Sequence, residues 1–147
     1  MAFSFEAALA KTELFAKVDH DHLSKFAEVV SPQTYSEGQI ITRQGDLGTG
    51  LYVITRGSAD VVLNQGESDE TVLATLGEGG FFGDMALLLE RPRGSTIVAK
   101  EPTECFVLHR ADFKRLTEEN SAVLWALAEI IAERLEKADA ALAHIQH

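Results

Sequence analysis

The chain has 147 residues, 46% hydrophobic and 24% charged, which suits one domain with a core that needs no disulfide or metal staple. Thirteen Lys and Arg stand against 23 Asp and Glu, and a net charge of −10 argues against broad phosphate-backbone binding, which needs a concentrated positive face. The single cysteine, Cys105, excludes an internal disulfide, a four-cysteine zinc site and an iron–sulfur cluster.

The acidity is spread along the chain, −2 over residues 1–36, −5 over 37–110 and −3 over 111–147, so no segment is a basic arm or an acidic tail. The first residues carry an early acid, Glu6, and lack the basic and apolar regions of a secretion signal. No stretch approaches the length of a membrane span, and a cytoplasmic location is expected.

Residues 5–30 read as helical. Leu23, Phe26, Ala27 and Val30 repeat at i, i+3, i+4 and i+7, with Asp19 or Asp21 as cap and Ser31-Pro32 as stop. Residues 33–82 and 95–110 read as short strands, among them Ile40-Ile41, 51–54, 61–63, Val72-Leu73 and 106–108. Their punctuation is glycine-rich: Glu37-Gly38, Gly45-Asp46, Arg56-Gly57, Asn64-Gln65-Gly66 and 77–80. Many short strands cut by glycine turns imply an antiparallel roll or barrel. Cys105, next to Phe106-Val107-Leu108, is expected to be a buried structural thiol.

Helical patterning returns over 112–119. Asn120-Ser121 then opens a long helix running to about Ile145. Within it Leu124, Ala128, Ile131, Leu135, Ala138, Leu142 and Ile145 are spaced 4, 3, 4, 3, 4, 3, a three-heptad seam suited to a homodimer. Leu127 and Ile130 lie off the seam and suit packing on the roll, and Trp125 is expected in the core rather than as a lid over a ligand.

The stretch 81–96 interrupts the strand zone with a glycine, a carboxylate, one or two helical turns, a proline and an arginine. Gly83 permits close backbone approach, Asp84 is placed to cap a short helix Met85–Leu89, and Pro92 is placed to end it. Arg93 follows Gly83 by ten residues and can fold back over the same spot. An arginine, free helix-start amides and a carboxylate together suit a ligand with one phosphate and one sugar hydroxyl. Without a ligand, the same residues make a glycine-rich turn in which Arg93 is salt-bridged to Asp84.

These residues resemble the phosphate-binding cassette of the cyclic-nucleotide-binding domain family, in which Gly-Glu-(Leu/Met)-Ala-Leu is followed by Pro-Arg-x-Ala-Thr. Residues 43–54 with Arg56-Gly57 look like the family's glycine turn and following hairpin, and the likeness runs from Leu14 to Leu142. It implies a mainly β fold, an antiparallel eight-stranded, jelly-roll-like β-roll with N-terminal helices and a long C-terminal helix. Within one domain, 1–147, the parts are 1–32 helical, 33–110 roll with the cassette at 81–96, and 111–147 helical.

The resemblance further implies that Gly83, Asp84 and the amides of Met85 and Ala86 hold ribose and phosphate. Arg93 pairs the cyclic phosphate, and Gly94 and Ser95 add contacts. Two departures are visible: Asp84 is one methylene shorter than the family's Glu, and Gly94 stands where Thr goes with guanine preference, which leans the ligand to cyclic AMP over cyclic GMP. No catalytic residue, metal or cofactor is implied, and an effector protein is expected as partner. DNA-binding relatives carry a helix-turn-helix domain after the long helix. This chain stops at His147, so direct DNA binding is not expected.

The rival readings are a ligand-free dimerisation module and a metal-dependent β-roll enzyme. For the latter, His20-Asp21-His22 opens a helix, where i and i+2 point apart, and His144 and His147 lie in the tail.

Overall fold

β-Branched runs a few residues long, each closed by a glycine turn, fold back on themselves instead of extending. The computed structural model, which describes residues 5–48 and 50–145, has eight short strands. Two helices come first, α1 Phe5–Ala10 and α2 His20–Val29. The strands follow as β1 Ser31–Tyr35, β2 Ile40–Thr42, β3 Leu51–Arg56, β4 Ala59–Leu63, β5 Thr71–Leu76 and β6 Phe81–Phe82. Helix α3 Asp84–Leu89 interrupts them before β7 Thr96–Ala99 and β8 Thr103–Leu108. Helices α4 Arg110–Glu119 and α5 Ala122–Ile145 end the chain.

The strands form two antiparallel four-stranded sheets, ordered β1-β8-β3-β6 and β2-β7-β4-β5. The first is buried on both faces along β3, β6 and β8, while β1 at its edge is largely exposed, and the alternation along the inner strands shows how. Val53 and Phe106 pack with Leu9, Phe15, Phe26, Phe113 and Leu127 of the helical layer. Their chain neighbours Ile54 and Cys105 point the other way, to Ala59 and Ile97 of the second sheet. The expected β-roll with flanking helices is the observed fold.

Local expectations fare unevenly. Asp19 caps α2, accepting from the His22 amide, and Asn120 Oδ1 accepts from the Ala122 amide at 2.9 Å at the start of α5. The expected helix over 5–30 is instead two helices. The Thr12 amide and hydroxyl both return to the Leu9 carbonyl, and that turn tucks Leu14 and Phe15 fully into the core. Helix α4 begins at Arg110, two residues earlier than its periodicity suggests. Trp125 is not in the core. It is 67% exposed, because Val123 and Leu127 take the inward positions of α5 and a residue two steps from either points away.

Along the seam, Leu124, Ala128, Leu135 and Ala138 are exposed, while Ile131 packs beside Ile130 on the helical core. The side chains of Leu142 and Ile145 lie outside the described residues. Among those described, no helix is long and apolar enough to cross a membrane.

Cys105 is fully buried. Desolvation pushes its thiol up to about 12, with the neighbouring Glu104 charge adding to the effect. The folded protein at pH 8 is therefore expected to resist iodoacetamide and to react only at the rate at which it opens. Rapid stoichiometric alkylation, read by mass, would contradict this burial.

Candidate functional site

The site is built where β6 turns into α3. Phe81 and Phe82 are both buried, and Gly83 follows in the left-handed region at φ 88°, ψ 2°. A Cβ at Gly83 would lie 2.5 Å from the Gly50 carbonyl oxygen and 2.9 Å from Arg93 Nη1, so the turn closes only on glycine. Gly83 is the N-cap of α3, and Leu87 donates back to its carbonyl at 3.0 Å. The amides of Met85 and Ala86 fall in the first turn and have no acceptor within the helix.

Two expectations about this helix are corrected. Asp84 does not cap it. It is the first helical residue, and its carboxylate turns inward, leaving the residue only 5% exposed. Pro92 does not end it either. Glu90, in the left-handed region at φ 53°, closes the helix by donating to the Ala86 carbonyl at 2.9 Å. Arg110 steadies that end, donating from Nε to the Leu87 carbonyl at 3.0 Å with Nη1 3.6 Å from Glu90.

Arg93 returns to the same spot through backbone bonds. Its amide donates to the Asp46 carbonyl at 2.9 Å, and its own carbonyl accepts from the Gly45 amide at 2.8 Å. Its guanidinium lies over the Tyr52 ring, 5.6 Å from the centroid, and Tyr52 is itself stacked on Phe82 at 4.9 Å. The missing side chain of Gly48 makes room, since a Cβ there would sit 2.7 Å from Arg93 Nη2. Among the described residues no carboxylate lies within ion-pair distance of Arg93. Among them its guanidinium makes one hydrogen bond, a long 3.4 Å contact to the Gly50 carbonyl.

The Arg93–Asp84 pair of an empty glycine turn is thus not formed. Asp84 Oδ2 lies 3.5 Å from Nη1 of Arg134 on α5, and that guanidinium also covers the Phe81 ring at 5.0 Å. Sequence reasoning missed Arg134. The signal was present: Val123, Leu127, Ile130 and Arg134 are spaced 4, 3, 4, which places an arginine on the inward face of α5.

Between α3, the following link and the second sheet lies a cavity of about 490 Å³. The expected site residues Gly83, Asp84, Met85, Ala86, Arg93, Gly94 and Ser95 all line it, and so do Arg91, Arg134 and an apolar wall. Among the described residues two buried side-chain polar atoms lack a hydrogen bond, Asp84 Oδ2 and Thr42 Oγ1, and both residues line this cavity. Of the histidines set aside earlier, His20 lies 3.4 Å from Glu6 and His22 against Asp19 on the helical layer, while the side chain of His144 and the whole of His147 lie outside the described residues. Among the described residues no three metal-ligating side chains come together.

A family model described as the cyclic nucleotide-binding domain matches residues 32–120. A cAMP-dependent protein kinase regulatory subunit of Blastocladiella emersonii is 33% identical over 112 residues, which cover 76% of this chain and 28% of that protein. The chain therefore spans less than a third of that relative's length. Among solved structures, the Thermus thermophilus catabolite activator protein superposes with a TM-score of 0.84 at 32% identity, over 92% of this chain and 63% of that one. The regulatory domain of Toxoplasma gondii PKA, solved with cAMP, gives 0.76 at 26% identity over 88% and 49%. The N-terminal domain of a Streptomyces coelicolor transcriptional regulator gives 0.72 at 27% identity over 91% and 96%. With the family model spanning most of the roll and the cassette residues gathered on one cavity, this chain belongs to the cyclic nucleotide-binding domain family.

Proposed function

We propose that residues 1–147 form one regulatory sensor module that binds a purine 3′,5′-cyclic monophosphate, cyclic AMP in preference to cyclic GMP, and performs no catalysis. One observation carries the reading: a cavity of nucleotide size holds an arginine without a carboxylate and a buried carboxylate without a hydrogen bond. Holding such groups out of water is costly until a hydrogen-bond partner arrives, and Arg134 gives Asp84 an opposite charge but no hydrogen bond.

A cyclic phosphate supplies the anion for Arg93, whose fork takes two phosphate oxygens, and the amides of Met85 and Ala86 add donors. The ribose 2′-hydroxyl donates to Asp84. Gly83 lets the sugar approach the backbone, and Gly94 and Ser95 complete the contacts. Arg134 keeps Asp84 neutralised, so an anionic ligand meets little repulsion, and it links the cassette to α5.

Binding that favours one position of α5 over another changes the surface offered to an effector protein in the cytoplasm. The exposed Leu124, Ala128, Leu135 and Ala138 support a homodimer whose seam continues through Ile131, Leu142 and Ile145. No direct contact with DNA is needed for this output.

Titration calorimetry with cyclic AMP and cyclic GMP tests the reading. Saturable one-to-one binding, tighter for the adenine nucleotide, is expected, and no heat with either nucleotide would overturn it. Arg134→Gln is expected to weaken cyclic AMP about tenfold, the worth of a hydrogen bond to a charged group. The affinity for the 2′-deoxy nucleotide, which has no hydroxyl to give Asp84 and is expected to bind wild type more weakly, is expected to change less than about threefold on the same substitution.

A further inference from the structure

Cross-strand partners share a face of a sheet, and one row of partners floors the cavity. Thr42 of β2 pairs with Ile97 of β7, Ile97 pairs with Val61 of β4, and Val61 pairs with Ala74 of β5. All four residues line the cavity. The row spans roughly 14 Å, three inter-strand spacings, and runs from a closed end at Thr42 and Ile97 to an open end at the exposed Ala74. Three of its four members are aliphatic. The fourth, only 8% exposed, carries a hydroxyl that meets no hydrogen-bond partner.

A buried hydroxyl without a partner destabilises the protein that holds it, and Val fills the same volume in a strand without that cost. The aliphatic part of the row suits the flat face of an aromatic ring, while Arg93 and Asp84 occupy the cassette side of the cavity. We infer that Thr42 is a specificity-determining residue: the base of the bound nucleotide lies along the Ile97–Val61–Ala74 row, and a polar atom on its edge completes the Thr42 hydroxyl. The hydroxyl both donates and accepts, so a rotation about χ1 between staggered wells presents it to either kind of edge atom. This rests on the cyclic-nucleotide reading above and adds to it the residue that reads the edge of the base.

The test uses the full chain with Thr42→Val and Thr42→Ser, titrated calorimetrically with the 3′,5′-cyclic monophosphates of adenosine, guanosine and inosine. These ligands share sugar and phosphate and differ only at the base. Thr42→Val is expected to weaken the best-bound nucleotide about tenfold and to narrow the spread among the three. Thr42→Ser, which keeps the hydroxyl, is expected to keep their order. In the absence of nucleotide, Thr42→Val is expected to raise Tm by about 2–4 °C, because an unpaired buried group has gone.

Affinities of Thr42→Val within twofold of wild type for all three would overturn the inference. So would a fall by one common factor, which places the hydroxyl against the shared sugar or phosphate, or a lowered Tm. If wild type itself bound none of the three, the cyclic-nucleotide reading would fail first. A wild type that binds beside an indifferent Thr42→Val removes only this inference.

Discussion

Replacing Arg93 by Ala is expected to reduce cyclic AMP affinity by at least about thirtyfold, because the cyclic phosphate then enters the cavity without its charge partner. The empty protein is expected to keep its Tm. Residue 93 is tied to Gly45 and Asp46 by backbone bonds, which a side-chain substitution leaves in place, and no carboxylate among the described residues loses an ion-pair partner. Lysine at position 93 retains the charge but not the two-pronged geometry, and is expected to recover only part of the loss. Calorimetry and thermal melting on the same samples separate the two effects. Unchanged affinity in Arg93→Ala would remove Arg93 from the phosphate site, and a collapse of Tm would make it a structural residue instead.

Gly83→Ala is expected to be the most damaging single-methyl change in the cassette. It incurs a left-handed backbone penalty of about 1–2 kcal/mol. It also forces a Cβ to within 2.5 Å of the Gly50 carbonyl oxygen, an overpacking cost of about 1–3 kcal/mol. Together these predict a loss of about 3 kcal/mol and a Tm lower by roughly 10 °C for a chain of this length. The clash with Arg93 Nη1 falls on the same atom group that the phosphate needs, so binding should weaken beyond what stability explains. Gly94→Ala is the matched control. No atom lies within 4 Å of the Cβ it would gain, and stability is expected to stay within about 0.5 kcal/mol of wild type.

The roll was legible in the sequence because each strand is bounded by its own glycine turn, a local signal that needs no knowledge of partners. The cassette was legible for the same reason, since Gly83, Asp84, Arg93 and their neighbours fall within a dozen residues. Positions whose role depends on another element were not. Arg134 meets Asp84 across 50 residues of chain, and the helix periodicity that carries it was read for its apolar members alone. Thr42 stood unremarked at the end of an isoleucine pair, because the absence of a hydrogen-bond partner is a property of packing. The helix ends went astray on one-residue geometry. Glu90 adopts a left-handed conformation that its side chain does not advertise, so the proline two positions later took credit for the stop. Trp125 shows the opposite error, in which a large apolar residue was assigned inward although Val123 and Leu127 had already taken the inward face.

Among the described residues, the ion pair to Asp84 is also the last polar contact between α5 and the body of the molecule, and residues 132–141 are exposed. From Arg134 to Ile145 the helix projects about 16 Å at 1.5 Å per residue. A stiff rod held near one end multiplies angle into distance, so a tilt of about 10° at the Arg134 pivot carries the far end through about 3 Å. Sub-ångström rearrangement around one carboxylate would then be read at the helix tip as a displacement comparable to an atomic diameter.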